Sequence, residues 1–342
     1  MSYNAAVALT RLALARPAAA PIRGASSLLR NSSTRCYSSH SPMAPGALPP
    51  RKKVTINSLR TMHANKVPIA MMTAHDFPSG LAADQAHMDM ILVGDSLAMV
   101  ALGMEDTNQL KLEDMLHHCR AVSRAVKSAF TIGDLPMGSY EISPEHAVRS
   151  AISMIQDGRV ESVKLEGGAE MAPTISRITS IGIPVLGHIG LTPQRSHALG
   201  GFRVQGKTAS SANKLLTDAL ALQAAGCYSL VLEAVPAPVA ALISSKLRIP
   251  TIGIGAGGGC GGQVLVQIDA LGNFPEGRFM PKFVRKYGSV FEESKRAIER
   301  YRDEVKSGQY PAVEHTYPIS KGELEEFEAI VERRSKEFEV EE

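Results

Sequence analysis

A chain of 342 residues with ordinary apolar and charged fractions is long enough to bury one large α/β core with tails to spare. Its net charge of +3 is too small to argue for nucleic acid as a partner, and no apolar run approaches the roughly 20 residues that span a bilayer. The four cysteines (Cys36, Cys119, Cys227 and Cys260) lie far apart with no CxxC spacing, which argues for a reducing compartment and against a disulfide framework or a structural zinc site.

From Met1 to Ala74 there is no Asp or Glu, while Arg11, Arg16, Arg23, Arg30 and Arg35 recur among Ala, Leu and Ser. That composition marks an organellar transit peptide, to be excluded from fold reasoning. Arg35-Cys36-Tyr37-Ser38-Ser39 reads as a matrix-processing site and Ser41 to Pro50 as a linker. The expectation is therefore a mitochondrial-matrix protein with residues 1–50 as transit peptide and linker; a plain basic tail is the alternative.

Past Lys53, short apolar runs alternate with longer helical patterns, as in a parallel sheet with helical crossovers. Strands are predicted at Pro68–Thr73, Met90–Gly94, Phe130–Gly133, Ser162–Leu165, Pro184–Gly187, Ser229–Leu232, Pro250–Ile254 and Gln263–Ile268. Several lack polar alternation, as strands covered on both faces do. Eight such runs favour a closed (β/α)₈ TIM barrel over an open doubly wound sheet.

Helices are predicted over Lys111–Val126, from Ser143-Pro144-Glu145 to Asp157, from Ser210 to Ala225, over Val290–Lys306, and from Lys321 to Glu342. Ser143-Pro144-Glu145 supplies an N-cap, a proline at the first helical position and an early acid. The last helix carries Leu324, Phe327, Ile330 and Val331 on one stripe, which suits a surface or subunit-contact helix, with a partly disordered segment as the alternative. A catalytic barrel over 51–316 and a charged extension over 317–342 complete the expected organisation.

The residues that close each apolar run carry the chemistry. The runs end, in order, in Thr73-Ala74-His75-Asp76, Gly94-Asp95-Ser96, Gly133-Asp134, Lys164-Leu165-Glu166, His188, Glu233 and Gly255-Ala256-Gly257. In a parallel barrel all these ends converge on one face. Asp95, Asp134 and Glu166 gathered there would repel one another and need a cation or protons to coexist. Oxygen donors without a Cys or His cluster suit Mg²⁺. Any single acid after a strand can instead cap the next helix, but Lys164 and Glu166, two apart, share one side of the pleat.

Glu233, ending the apolar run Leu230-Val231-Leu232, reads as a partly desolvated general base, or as a buried acid paired to Lys164 or His188. His188 is equally well a hydrogen-bonded core histidine. His117-His118-Cys119 reads as helix surface rather than a metal cluster, because consecutive helical residues point apart. Gly253, Gly255 and Gly258 fit GxGxxG, but no helix comes after them, so a dinucleotide loop is not supported. Such glycines more often let a backbone approach a ligand. The long stretch from Gly190 to Lys207 reads as a lid or binding loop.

These segments together closely resemble the ketopantoate hydroxymethyltransferase family. Matching pieces include Val93-Gly94-Asp95-Ser96-Leu97, Gly133-Asp134-Leu135-Pro136, Val163-Lys164-Leu165-Glu166-Gly167-Gly168, Gly187-His188-Ile189-Gly190-Leu191-Thr192-Pro193-Gln194 and Gly200-Gly201-Phe202-Arg203-Val204-Gln205-Gly206, within a match from about Val54 to His315. The resemblance implies a Mg²⁺-binding barrel that transfers a one-carbon unit from 5,10-methylenetetrahydrofolate to 3-methyl-2-oxobutanoate, giving 2-dehydropantoate.

By motif it implies Asp95, Asp134 and Glu166 at the metal, Glu166 through water, and Ser96, Lys164 and His188 near the substrate with Asp95 and Asp134. Glu233 would be the proton acceptor, acting on C3 or in opening the folate ring. It also suggests a homo-oligomer, commonly a decamer. His75 stands where many members carry Tyr, and the glycine-rich Gly257–Gly262 is expected to loosen the folate side of the mouth. The competing readings are a Mg²⁺ barrel of the phosphoenolpyruvate mutase and isocitrate lyase type, and a non-catalytic binding barrel.

Overall fold

A computed structural model describes residues 51–339; the expected transit segment and linker lie outside them. Eight parallel strands close into one barrel, each paired with its neighbours in chain order and the last with the first. They are β1 (Ile69–Thr73), β2 (Met90–Val93), β3 (Phe130–Asp134), β4 (Ser162–Glu166), β5 (Val185–Gly190), β6 (Ser229–Glu233), β7 (Thr251–Ile254) and β8 (Gly262–Leu265). Every predicted run overlaps one strand. The main boundary differences are β5, which continues past Gly187 to Gly190, and β8, which stops short of the expected Ile268 because a helix opens at Gln267. There the Gln267 amide donates to Thr73 Oγ1 across the β8–β1 seam, 3.0 Å away.

The helices in chain order are α1 (Ile56–Ala64), α2 (Phe77–Gln85), α3 (Leu97–Val100), α4 (Leu112–Ala125), α5 (Pro144–Gln156), α6 (Ala172–Ser180), α7 (Ser196–Leu199), α8 (Ala209–Ala224), α9 (Ala237–Lys246), α10 (Gln267–Leu271), α11 (Val290–Ser307) and α12 (Lys321–Glu339). Ser143 caps α5 as predicted, its side chain accepting from the His146 amide at 3.1 Å. Asp76 caps α2 in a reciprocal arrangement with Ser79, so for this one acid the capping role holds.

The strand pleat sorts apolar residues into two clusters. Met71, Met90, Ile132, Leu186, Val231 and Ile252 fill the barrel interior, where Leu59 of α1 joins them from the side on which the strands begin. Ile91, Val93, Val163, Leu165, Leu230 and Leu232 point outward to meet α4, α5 and α8 through Met115, Met154 and Leu222. This second layer explains why the strands read as continuous apolar runs.

One crossover departs from the expected pattern. No helix joins β7 to β8; residues 255–261 make the whole connection, although parallel strands usually need about a dozen residues or more between them. This ribbon lies directly on α9. A methyl group at Gly257 would sit 2.4 Å from Ala237 Cβ, and one at Gly259 would sit 2.5 Å from Ala241 Cβ. The glycines therefore serve close packing against a helix, which corrects the expectation that Gly257–Gly262 loosens the mouth. Beyond β8, α11 buries none of its residues and leaves Ile298, Tyr301 and Val305 exposed.

Candidate active site

At the end of the barrel where the strands finish, one cleft is lined by Asp95, Ser96, Asp134, Lys164, Glu166, His188 and Glu233. All seven predicted site residues meet there. Register explains the convergence: Asp134 lies opposite Lys164, Glu166 opposite His188, and Gly190 opposite Glu233. Neighbouring strands thus place their last inward side chains side by side. His75 is not among the lining residues; its backbone carbonyl bonds instead to His118 Nδ1. His117 is exposed, His118 half-buried and Cys119 buried, so that triplet points three ways and forms no cluster.

The floor of the cleft is buried and charged. The Lys164 ammonium sits 2.7 Å from Asp134 Oδ1 and 3.3 Å from His188 Nδ1. His188 also lies 3.2 Å from Glu166 through Nδ1 and 3.2 Å from Glu233 through Nε2. The imidazole thus stands between two carboxylates, and Glu233 pairs with it rather than with Lys164. Glu233 keeps 17% of its side chain exposed to the cleft, against 3% for His188. It ends β6 just before Ala234, whose φ of 48° is left-handed and costly for a residue with a Cβ. That turn is held by the Ala234 amide donating to the Ile254 carbonyl and the Gln205 amide donating to the Ala234 carbonyl, each at 2.9 Å.

Burial raises the Asp95 pKa, and the charge of Glu166 adds to the effect. Asp134 is pushed up to about 6, by burial first, with Lys164 opposing and Asp95 reinforcing. Burial works against a charge on Lys164, yet Asp134, Asp95 and Glu166 together outweigh it and hold the ammonium protonated. His188 is pushed up to about 9; burial and Lys164 lower it, while Glu166 and Glu233 more than compensate.

Buried atoms without hydrogen-bond partners are rare and call for an explanation. Here Asp134 Oδ1, Glu166 Oε1 and His188 Nε2 are buried without one, their ion-pair contacts being off the hydrogen-bonding direction. Buried carboxylate oxygens that face one cleft in ion pairs, without hydrogen bonds, fit a hard divalent cation. Among the described residues, however, no three His, Cys, Asp or Glu side chains form a ready-made metal cage. Carboxylate oxygens without thiolate donors are of the kind that Mg²⁺ takes, with water and substrate oxygens filling the rest of its shell.

Gln194, which no sequence pattern singled out, is 2% exposed and ties the floor together. Its Nε2 donates to Asp95 Oδ2 at 2.9 Å and to the Leu135 carbonyl at 3.1 Å. Its Oε1 accepts from the Tyr140 hydroxyl at 2.6 Å, and its amide donates to Glu166 Oε2 at 3.1 Å. The segment after β5 is thus partly a brace for the acids, while Pro193 and Phe202 on the same segment line the cleft. Also missed from sequence were Thr107, Asp269, Arg278 and Phe283 on its outer wall. They sit in stretches with no motif or periodicity.

Comparisons with known proteins bear on this geometry. A family profile described as ketopantoate hydroxymethyltransferase matches residues 53–313. A 3-methyl-2-oxobutanoate hydroxymethyltransferase of Emericella nidulans is 63% identical over 86% of this chain and 85% of its own length. The mitochondrial 3-methyl-2-oxobutanoate hydroxymethyltransferase 2 of Oryza sativa subsp. japonica is 49% identical over 81% of this chain and 70% of its own. Among solved structures, 2,3-dimethylmalate lyase, a member of the PEP mutase/isocitrate lyase superfamily, aligns with a TM-score of 0.50 over 83% of this chain and 98% of its own. At 15% identity that likeness is one of fold alone.

Proposed function

The chain belongs to the ketopantoate hydroxymethyltransferase family, and on that premise we propose how its cleft carries out the reaction. The enzyme is a 3-methyl-2-oxobutanoate hydroxymethyltransferase that forms ketopantoate. 5,10-Methylenetetrahydrofolate is the proposed one-carbon donor. Asp95 and Asp134 would hold Mg²⁺, with Glu166 behind them through water, and the ion would supply Lewis acidity to the oxygens of the oxo acid.

The chain's own groups do the rest. Ser96, at the end of the loop after β2, receives the substrate carboxylate. Glu233, the acid with the most access to the cleft, takes the C3 proton. His188, 3.2 Å from Glu233, fixes where that carboxylate points. As negative charge moves from C3 to the keto oxygen, the buried Lys164 ammonium faces it in a low-dielectric setting where such charge pairing is strong. The carbanionic C3 then bonds to the donor's one-carbon unit; overall both methylene C–N bonds break, water supplies the new hydroxyl, and tetrahydrofolate leaves with the proton taken from C3 and the second proton of that water.

The observation that supports this most is the gathering of the Asp95, Asp134, Glu166 and Glu233 carboxylates with Lys164 in one cleft, where Asp134 Oδ1 and Glu166 Oε1 are buried in ion pairs without hydrogen bonds. The test is Mg²⁺-dependent formation of ketopantoate by the purified chain, alongside exchange of the substrate's C3 proton in deuterium oxide followed by NMR. Glu233→Gln should lower that exchange by about a hundredfold or more while both substrates still bind. Full exchange in the variant would show that Glu233 is not the acceptor.

The proposal extends to setting. Location in the mitochondrial matrix is supported by the acid-free, Arg-rich residues 1–74 and by the mitochondrial name of the rice relative. A homo-oligomer, a decamer by resemblance, is supported by the exposed Ile298, Tyr301 and Val305 of α11. Sedimentation of the purified chain tests it.

A further inference from the structure

Glu166 ends β4, and the chain turns away from the cleft immediately after it through Gly167 and Gly168. Gly167 has a φ of 130°, in the region that favours glycine. Two successive glycines impose little preference of their own, so the direction in which β4 presents Glu166 is set by what holds this joint. The Gly167 amide donates to the His188 carbonyl on the neighbouring strand at 3.0 Å. The Gly168 amide donates to the Glu170 carboxylate at 3.0 Å. Arg195 bridges that carboxylate to the Glu166 carbonyl, 3.4 Å away.

The remaining support comes from outside the cleft. Asp218 of α8 does not line it, yet is only 5% exposed. Its Oδ1 accepts from the Ala169 amide at 3.0 Å. Lys214, one helical turn earlier and largely in solvent, meets its Oδ2 at 2.7 Å. A methyl group at Gly168 would lie 2.3 Å from the Asp218 carboxyl carbon and 2.4 Å from Oδ1, so the joint lies flat on this carboxylate. The φ of Gly168, −97°, is not left-handed; close approach to Asp218 is what excludes a side chain there. An ionised acceptor holds a backbone amide more strongly than a neutral one does.

We propose that Asp218 is a positioning residue for the cation site: through the Gly167–Gly168 joint it fixes where the Glu166 carboxylate stands, with Lys214 balancing its charge from the solvent side. This rests on the reading of Glu166 as part of a Mg²⁺ site. Glu166 also pairs with His188 at 3.2 Å, so slack in the joint passes on to the imidazole that faces Glu233. A helix on the outside of the barrel thus acts on the chemistry through one backbone amide.

The test is calorimetric titration of the full chain with Mn²⁺ as the probe, alongside thermal melts in EDTA and steady-state kinetics. Asp218→Ala should weaken Mn²⁺ by about tenfold, the scale of losing a group that orients a metal-site residue. At saturating metal its kcat should fall while KM for 3-methyl-2-oxobutanoate stays within about twofold of wild type. Asp218→Asn, which keeps an oxygen for the Ala169 amide, should bind Mn²⁺ within about threefold of wild type. Gly168→Ala should also weaken Mn²⁺ by about tenfold. Added to Asp218→Ala it should cost no more than about a further twofold, because the methyl group then has room. A purely structural Asp218 would lower the melting temperature in EDTA and leave Mn²⁺ affinity alone. Unchanged Mn²⁺ affinity in both Asp218→Ala and Gly168→Ala, or fully additive losses in the double variant, overturns the proposal. Should Asp218→Ala not fold, Gly168→Ala decides, a loss of affinity supporting the proposal and an unchanged affinity overturning it. A wild-type chain that binds no Mn²⁺ would instead overturn the reading of the cleft as a cation site.

Discussion

Replacing Gln194 with alanine should separate the brace from the acids it holds. The substitution removes two bonds to neutral partners, Leu135 and Tyr140, and one to the Asp95 carboxylate. At about 1 kcal/mol for each neutral bond and about 2 for the charged one, the loss is about 4 kcal/mol. For a domain of this size that lowers the melting temperature by about 10 °C. Asp95 Oδ2 would also be free to turn, so the Mg²⁺ needed for half-maximal activity should rise by about tenfold. Tyr140→Phe removes the hydroxyl shared between Gln194 Oε1 at 2.6 Å and, more weakly, the Glu166 carbonyl at 3.4 Å, and should cost about 1 kcal/mol with little change in Mg²⁺ requirement. Thermal melts with and without Mg²⁺, and activity against Mg²⁺ concentration, measure both effects. A Gln194→Ala chain that melts within about 2 °C of wild type and keeps its Mg²⁺ requirement would refute the bracing role.

Because Asp134 is pushed up to about 6, protons should compete with the cation at its carboxylate. The Mg²⁺ requirement should rise by about tenfold per pH unit below about 6 and flatten above it; a requirement unchanged between pH 5 and 7 would count against Asp134 as a ligand. Asp134 also binds a proton when folded at pH values where the unfolded carboxyl has lost it. Its contribution to the stability of the metal-free chain is therefore present below about pH 4 and lost as pH rises through about 6, and Asp134→Asn should remove that slope from melts in EDTA. On the outer face of β3, Gly133→Ala places a methyl group 2.2 Å from Met154 Cε and 3.0 Å from Cys119 Sγ. It should destabilise the chain by about 1–3 kcal/mol in chemical denaturation while leaving Mg²⁺ dependence unchanged.

The barrel was legible because β2 to β7 are buried on both faces and therefore read as short apolar runs, and the floor was legible because acids come at or just after the ends of those runs. Of the helices that escaped the sequence reading, α2 contains Pro78 and Gly80 and α9 is apolar nearly all round, so neither shows a stripe; α6 has one, at Thr174, Ile175 and Ile178, but over only nine residues. Gln194 was passed over because an amide in a loop carries no charge pattern, and its importance lies in partners up to 99 residues away. Phe283 and Arg278 belong to an irregular stretch whose fold is set by contact with the barrel, not by local propensity. The glycine-rich ribbon misled for a related reason, since glycine marks close approach without saying to what.

That ribbon makes the far side of the barrel a gauge for the chemistry. It touches α9 at Ala237 and Ala241, and α9 starts only four residues beyond Glu233. Bulk added on the outer surface at Gly257 or Gly259 has no soft side chain to displace, so the helix itself must shift and carry the turn at Ala234 with it. Gly258, with open space around it, is the one rung of that ladder where a larger residue would pass unnoticed by the cleft.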